Sequence, residues 1–238
     1  VMDPLIAGAV VWVGWRVVAV VRTGRRQSWL TALWTFTRRL VRLAGGIALM
    51  FLLLWGLNYR RTPLERTLGT ADAGATDTSA VVLALEEAAA RAGTLRAQSD
   101  HGAADYDAVA RQLEPAFQQA LQRLGLPPLP RAGRPKVSHV LTPFFTAAGV
   151  TGMLNPLALE SIVHPDLLPF ERPMVLAHEW AHLAGFADEA DASAIGWAAC
   201  VLGPPPLEYA AHMFLLLEGA AQVPAADWRR IRATLHPG

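Results

Sequence analysis

The sequence is poor in cysteine and in charged residues. Cys200 is the only cysteine among 238 residues, so no disulfide can close within the chain and a cysteine-rich metal site is excluded. Charged residues make up only 17% of the chain and hydrophobic residues 53%, which is typical of a membrane-associated protein rather than a purely soluble one. The net charge is +1, and we expect no nucleic-acid partner, because such a partner requires a basic excess.

Acidic residues are almost absent from the first quarter of the chain. Residues 1–59 contain seven arginines and one aspartate, whereas the remainder contains 14 basic and 19 acidic residues. Two apolar runs, 5–21 and 40–59, are accompanied by six arginines at 22–42, five between the runs and one, Arg42, near the start of the second. The second run would extend about 30 Å as a helix, the thickness of the bilayer core. We predict two transmembrane helices joined by a basic cytoplasmic loop, with the chain leaving the membrane after Tyr59 on its outer side.

The rest of the chain divides into a linker and one domain. Residues 60–78 are rich in Thr, Pro, Gly, Ala and Asp and are predicted to form the linker, and residues 79–238 the domain. Ser79 is a candidate N-cap for a first helix, and apolar residues repeat with a period of about 3.6 after Asp105. Residues 140–159 are uncharged but contain two prolines and two glycines, so we predict short strands and turns there.

The strongest chemical signal is the HEWAH sequence that begins at His178. In a helix, His178 and His182 lie one turn apart on the same face, so both imidazoles can bind one metal ion. Glu179 is turned by about 100° from His178, which places its carboxylate beside the metal, where it can take a proton from the water that the metal activates. Pro173 suits the first turn of such a helix and Gly185 its C-terminal cap. This pattern is typical of a catalytic zinc site with Glu179 as general base.

A catalytic zinc site needs a third protein ligand, and the acidic residues just beyond the motif are the candidates. Asp188 would be the ligand in an HExxHxxGxxD pattern. Glu189 would instead bind from the first turn of a second helix that ends near residue 202, with Asp188 as the N-cap of that helix. We favour Glu189, because its extra methylene group lets it reach back to an ion between two imidazoles. Asp191 is a further alternative.

Two polar residues further along the chain are candidates for stabilising a tetrahedral oxyanion. Tyr209 and His212 lie three residues apart on a predicted helix, 207–217, and therefore share a face. Either could donate a hydrogen bond to the negative charge that develops during peptide hydrolysis. A role in packing or capping is the alternative for both.

The sequence around the motif resembles an uncharacterised bacterial family of membrane zincins, domain of unknown function 3810. The run HEWAHLAGFADEADA at 178–192 is similar to the HExAHxxGFxxExEA signature of that family. WGLNYR at 55–60 and GVTGM at 149–153 also resemble segments of the family. The chain departs from the family at Asp191, where Glu is usual, and at Ser193, where Asn is usual. The resemblance implies a zinc-dependent, peptidase-like domain outside the membrane, with no known substrate.

These features predict a fold class and a function. The expected class is mainly α (α+β): two N-terminal transmembrane helices followed by a zincin-like, mostly helical domain with a small strand region. The expected function is hydrolysis of peptide bonds in a peptide or protein substrate, with Zn²⁺ as cofactor, at the outer face of a bacterial plasma membrane whose lipid bilayer is a partner. A catalytically silent, zinc-containing membrane scaffold or sensor is the alternative, against which the intact Glu179 argues. An intramembrane protease is disfavoured by the charged residues on both sides of the motif.

Overall fold

The computed structural model of the chain describes residues 2–26, 28–70, 77–99 and 105–235. Within these residues the fold is mainly helical, with ten α-helices and a two-stranded sheet, which confirms the predicted mainly helical class with a small strand region. The α-helices are α1 (Met2–Arg26), α2 (Trp29–Leu54), α3 (Leu64–Thr67), α4 (Thr78–Arg96), α5 (Tyr106–Arg123), α6 (Thr142–Ala148), α7 (Arg172–Leu183), α8 (Glu189–Val201), α9 (Pro205–Gly219) and α10 (Ala225–Thr234). The strands are β1 (Gly152–Asn155) and β2 (Glu160–Val163), and a 3-10 helix spans Gly56–Arg60.

The larger hydrophobic core lies between α5, α7 and α8. The helical period of α5 places Leu113, Phe117 and Leu121 on one face, and all three side chains are fully buried. The Phe117 ring meets the ring of Trp180 on α7 edge-on, with 5.7 Å between centroids. Ile195 of α8 belongs to the same cluster. Each of these buried side chains contributes about 1.5–3 kcal/mol, and together they fix α7 in the middle of the domain.

A second, smaller cluster joins α4, α9 and α10. Leu85 of α4, Leu216 of α9 and Ile231 of α10 are buried in it. Helices α4 and α9 approach closely because Gly219 has no side chain: a Cβ at this position would lie 2.5 Å from a Leu85 methyl carbon. Since α9 also contacts α7 and α8, the second cluster fixes α9 beside the larger core.

The strand region is an antiparallel hairpin that packs on α7. Gly152 of β1 is opposite Val163 of β2. On the far side of β2, Lys136 forms an isolated parallel bridge to Ile162. In the described ranges no strand pairs with the other edge of β1.

The predicted strands and turns of residues 140–159 begin later than expected. Thr142–Ala148 form a helix, α6, and only Gly152–Asn155 form a strand in this stretch. Pro143 lies in the first turn of α6, where a missing N–H costs no hydrogen bond, and Gly149 ends the helix in the left-handed conformation at φ 66°. The proline and the glycine that exclude a long helix therefore suit a short one.

Helices α1 and α2 pack against each other and leave most of their large apolar side chains exposed. In the part of the chain that the structure describes, no helix combines the length and the apolar character that crossing a bilayer requires. The two predicted transmembrane helices, 5–21 and 40–59, are therefore unsupported. The first carries the charge of Arg16, and the second is interrupted because α2 ends at Leu54 and a 3-10 helix follows.

The predicted linker is packed against the domain along part of its length. Leu64, the first residue of α3, is 4% exposed and belongs to the larger core. Its backbone N–H donates to the Asp191 carboxylate at 3.0 Å. Residues 71–76 of the linker lie outside the described residues. The predicted N-cap at Ser79 is wrong by two positions, because the Asp77 carboxylate caps α4 and accepts the Ser79 N–H.

Candidate metal centre

The HEWAH sequence lies on α7, and its flanking residues explain where that helix begins and ends. Pro173 occupies the first turn. At the other end, the N–H of Gly185 donates to the His182 carbonyl and the N–H of Phe186 donates to the Ala181 carbonyl, which are the two bonds of a Schellman motif. Gly185 has φ 93°, a conformation that L side chains rarely adopt. The predicted helix, with its cap at Gly185, is confirmed.

Helix α8 follows α7 after a short turn, and together they form the α7–α8 corner (residues 172–201). Asp188 is the N-cap of α8, as predicted: its carboxylate accepts the N–H of Ala190 at 2.9 Å and of Asp191 at 3.1 Å. The two helices pack closely because Gly196 has no side chain, and a Cβ there would lie 3.0 Å from the backbone nitrogen of His178. This close packing brings the first turn of α8 next to the histidines.

Three side chains converge at the corner. Nε2 of His178 lies 3.0 Å from Oε2 of Glu189, and Nε2 of His182 lies 3.5 Å from the same oxygen. One nitrogen or oxygen atom from each residue lies within 4.8 Å of the others. Ligand atoms that sit about 2.0–2.2 Å from a tetrahedral zinc ion are roughly 3.4 Å apart. These three residues could therefore hold a single metal ion.

The second ring nitrogen of each histidine has a hydrogen-bond partner. Nδ1 of His182 lies 2.6 Å from the Phe186 carbonyl oxygen, and Nδ1 of His178 lies 3.2 Å from the Ser193 hydroxyl. Partners of this kind fix the ring orientation of metal-binding histidines and leave Nε2 for the ion. Burial, and secondly the charge of His182, lowers the pKa of His178, which favours the neutral imidazole that a metal ligand needs.

Glu179 lies beside this group of ligands. It is 3% exposed, and no donor among the described residues reaches its Oε2. Burial, and secondly the negative charge of Glu189, raises the pKa of Glu179 to about 8. A buried carboxyl oxygen without a hydrogen-bond partner lowers the stability of the fold.

The backbone of β1 lies directly against the Glu179 carboxyl group. A Cβ at Gly152 would lie 2.6 Å from Oε1 of Glu179 and 2.9 Å from a methyl carbon of Val175. Only glycine lets the strand approach α7 this closely. Gly152 therefore helps to fix the position of the carboxyl group.

The alternative third ligands have other partners. Asp188 uses its carboxylate to cap α8, and Asp191 accepts the N–H of Leu64. Of the three candidates, the structure brings Glu189 alone into the group with the two histidines. The assignment of Glu189 as the ligand stays a prediction that this geometry favours.

The two candidates for oxyanion stabilisation lie away from the centre. Tyr209 packs edge-on against Phe170 with 6.2 Å between ring centroids, and belongs to the cluster around α4. Nε2 of His212 lies 3.6 Å from Oε1 of Glu208. Neither residue lines the clefts around Glu179. The structure therefore does not bring either candidate to the clefts at the centre.

Two clefts meet at the centre, and His178, Glu179 and Glu189 border both. The first, the α9 cleft, has a volume of about 450 Å³ and lies between residues 149–152, the first half of α7, and α9. The wall that α9 provides consists of Ala210, Phe214, Leu217 and Glu218. The second, the Trp55 cleft, has a volume of about 210 Å³. Its other lining residues are Phe51, Trp55, Tyr59, Gly152, Met153, Leu154, Pro156, His182 and Ala187.

The comparison with protein families agrees with the resemblance found in the sequence. The family model for the protein of unknown function DUF3810 matches residues 1–238. The chain belongs to the DUF3810 family. No curated protein and no solved structure matches the chain. Membership of the family therefore supplies no activity, and the chemistry of the site must be argued from its residues.

Several residues at the centre were not identified from the sequence. Trp55 meets the His182 ring edge-on at 5.8 Å between centroids, and Arg61 donates to the Ala184 carbonyl. Sequence spacing does not link either residue to the centre, because both lie in a segment more than 100 residues before α7 in the chain. Ser193 could have been found, since it lies four residues after Glu189 on α8 and so shares its face.

Proposed function

We propose that the chain is a zinc-dependent metallohydrolase that cleaves peptide bonds. The observation that carries this proposal is the convergence of His178, His182 and Glu189 within 4.8 Å, beside the buried, unpartnered carboxyl oxygen of Glu179. A structural zinc site is usually closed by four protein ligands, whereas a catalytic one has three and keeps an open position. Among the described residues, three candidate ligands lie at the junction of two clefts, and this count supports a catalytic site rather than a structural one.

Different residues of the site would bind the metal ion and transfer the proton. His178, His182 and Glu189 would hold the ion, with the rings oriented by Ser193 and the Phe186 carbonyl. When bound, zinc supplies a Lewis acid and lowers the pKa of a water molecule to about 7. The ionised form of Glu179 takes a proton from the attacking water and delivers it to the nitrogen of the leaving amine. Its burial keeps this proton transfer out of bulk solvent.

The edge of β1 that faces away from β2 supports a peptide as the substrate. The N–H of His164 donates to the Thr151 carbonyl, so the alternation of an antiparallel ladder makes the backbone groups of Gly152 and Leu154 point away from β2. An extended peptide can add to such an edge by main-chain hydrogen bonds. A peptide bound there lies next to Glu179 and has the α9 cleft available for a side chain.

We further propose that α1 and α2 associate with a lipid bilayer, and that the domain lies at the outer face of a bacterial plasma membrane. Both helices expose large apolar side chains, including Trp15 at 59%, Leu30 at 78% and Trp34 at 67%. Soluble monomers rarely expose contiguous apolar surface on this scale. The six arginines of residues 22–42 favour the cytoplasmic side for the turn between the helices.

A matched pair of variants tests the hydrolase. Glu179→Gln should keep the zinc and abolish cleavage of a fluorogenic peptide library, because it removes the base and no ligand. Glu114→Gln, which changes an exposed glutamate of α5 that lines neither cleft, should keep both zinc and activity. A wild-type protein that binds zinc and cleaves no peptide would favour the scaffold or sensor, and wild-type rates in Glu179→Gln would exclude Glu179 as the base.

The orientation can be tested by thiol labelling in intact cells. Thr70 is exposed, and Cys200 is buried and can be replaced by alanine as background. In that background Thr70→Cys should react with a membrane-impermeant thiol reagent before lysis. Labelling only after lysis would place the domain on the cytoplasmic side and overturn the proposed location.

A further inference from the structure

The segment that follows α2 crosses the C-terminal end of α7. Nη1 of Arg61 donates to the Ala184 carbonyl oxygen at 2.9 Å. The guanidinium carbon of Arg61 lies 3.9 Å from the centroid of the Phe186 ring, which is a cation–π contact. Ala184 and Phe186 both belong to the turn that closes α7. Arg61 therefore holds this turn at two points.

The turn contains a glycine at the point where the arginine lies closest to it. Gly185 lies between the two contacted residues, and a Cβ there would lie 3.0 Å from Nη1 of Arg61. A positive charge at this end of a helix also interacts favourably with the helix dipole. The Ala184 carbonyl is one of the terminal carbonyls that an α-helix cannot satisfy itself, and the Arg61 N–H satisfies it.

The same turn carries the partner of a proposed metal ligand. The Phe186 carbonyl oxygen lies 2.6 Å from Nδ1 of His182. Because a carbonyl can only accept, this bond selects the tautomer in which Nδ1 carries the proton and Nε2 keeps its lone pair. It is Nε2 that faces Glu189, at 3.5 Å. A displacement of Phe186 would therefore change both the orientation and the tautomer of the His182 ring.

We infer that Arg61 is a positioning residue of the metal centre. It acts through Phe186. The guanidinium holds the turn that follows α7, and this turn sets the position of the Phe186 carbonyl, which in turn orients the His182 ring. This inference rests on the metal site of the proposed function and extends it to a segment outside the α7–α8 corner. The Arg61 side chain is exposed. If it contributed only to the stability of the fold, its removal would leave the orientation and the tautomer of the His182 ring unchanged.

Zinc affinity of the full-length chain, measured by competition with a chromophoric chelator, tests the inference. Arg61→Met should weaken zinc binding by about tenfold, the lower end of what the loss of an outer-shell partner costs. Arg61→Lys should recover part of the loss, because it keeps the charge but lacks the planar group that stacks on Phe186. The matched control is Arg60→Met, which removes the neighbouring exposed arginine and should leave the affinity unchanged.

A spectroscopic measurement separates positioning from mere stability. In the metal-free wild-type protein, imidazole ¹⁵N NMR should show His182 protonated on Nδ1, and Arg61→Met should show a mixture of tautomers. Phe186→Leu removes the ring and keeps the carbonyl, so it should shift the tautomer in the same direction, and it decides the matter if Arg61→Met fails to fold.

The two ways of failing are distinguishable. A wild-type chain that takes up no zinc overturns the proposed function, and the tautomer of the metal-free protein still decides the role of Arg61. A wild-type chain that binds zinc, together with an Arg61→Met variant of equal affinity and unchanged His182 signals, overturns the inference about Arg61 alone.

Discussion

The α7–α8 corner and the α1–α2 pair are both built from two consecutive helices, yet they use their side chains in opposite ways. In the corner, Leu176 and Ile195 are fully buried, and the polar Glu179 and His182 are buried with them. In the α1–α2 pair most of the large apolar side chains are exposed, and within α2 only Ala32 is buried. Apolar composition therefore does not decide which helices form a core. The corner differs in two ways. A glycine, Gly196, lies where its helices meet, and polar side chains converge on one site.

The largest effect should come from the polar residues of the corner. Glu189→Ala should weaken zinc binding by more than the roughly 10–100-fold that the loss of an outer-shell partner costs, because it removes a ligand atom. Glu218→Ala is the control, since Glu218 lines the α9 cleft without contacting the histidines. Chelator competition measures both. Equal zinc affinity in the wild type and Glu189→Ala would assign the third ligand elsewhere.

The difference in burial predicts that shortening an apolar side chain lowers the free energy of unfolding more in the corner than in the α1–α2 pair. Ile195→Ala in the corner should lower the free energy of unfolding by about 2–5 kcal/mol, because it leaves a cavity in a closed core. Leu33→Ala in α2, where the side chain is 58% exposed, should change it by no more than about 0.5 kcal/mol. Urea denaturation of both variants in one buffer tests this. Similar costs would contradict the contrast between the two regions.

A third prediction concerns the contact between β1 and the corner. Gly152→Ala should lower kcat/KM for peptide cleavage by about 10²-fold with zinc retained, because the new methyl group displaces the Glu179 carboxyl group. Gly93→Ala in α4, where a Cβ meets nothing within 4 Å, is the control. An active Gly152→Ala variant would show that the carboxyl group need not stay where the strand holds it.

Among the variants of the corner, the smallest effect is expected at the start of α8. Asp188→Ala should cost about 0.5–2 kcal/mol of stability with zinc affinity unchanged, because the carboxylate caps the helix. Thermal denaturation and zinc titration of the same variant measure the two quantities. Loss of zinc in Asp188→Ala, with zinc kept in Glu189→Ala, would exchange the roles assigned to these neighbours.

The corner was the part of the molecule most open to prediction from sequence. Its geometry follows from local rules: histidines four residues apart share a helix face, Gly185 ends the helix, and a short acidic residue caps the next one. These rules placed α7, α8 and the cap at Asp188 correctly. They also favoured Glu189, which the structure brings to the histidines.

The features that the sequence did not predict depend on contacts between residues far apart in the chain. The approach of Gly152 to Glu179 and the contact of Arg61 with Phe186 are set by tertiary packing, for which sequence spacing gives no signal. The same holds for Leu64, which the composition of its surroundings assigned to a linker and packing places in the core. The apolar runs of α1 and α2 likewise predicted spans that the described helices do not support.

The most direct test of the metal centre is the zinc content of the purified full-length protein, measured by mass spectrometry after preparation without chelators. We expect about one zinc per chain in the wild type, and a loss of that zinc in His178→Ala and His182→Ala. A wild-type protein that carries no zinc and takes up none on titration would contradict the proposed metal centre.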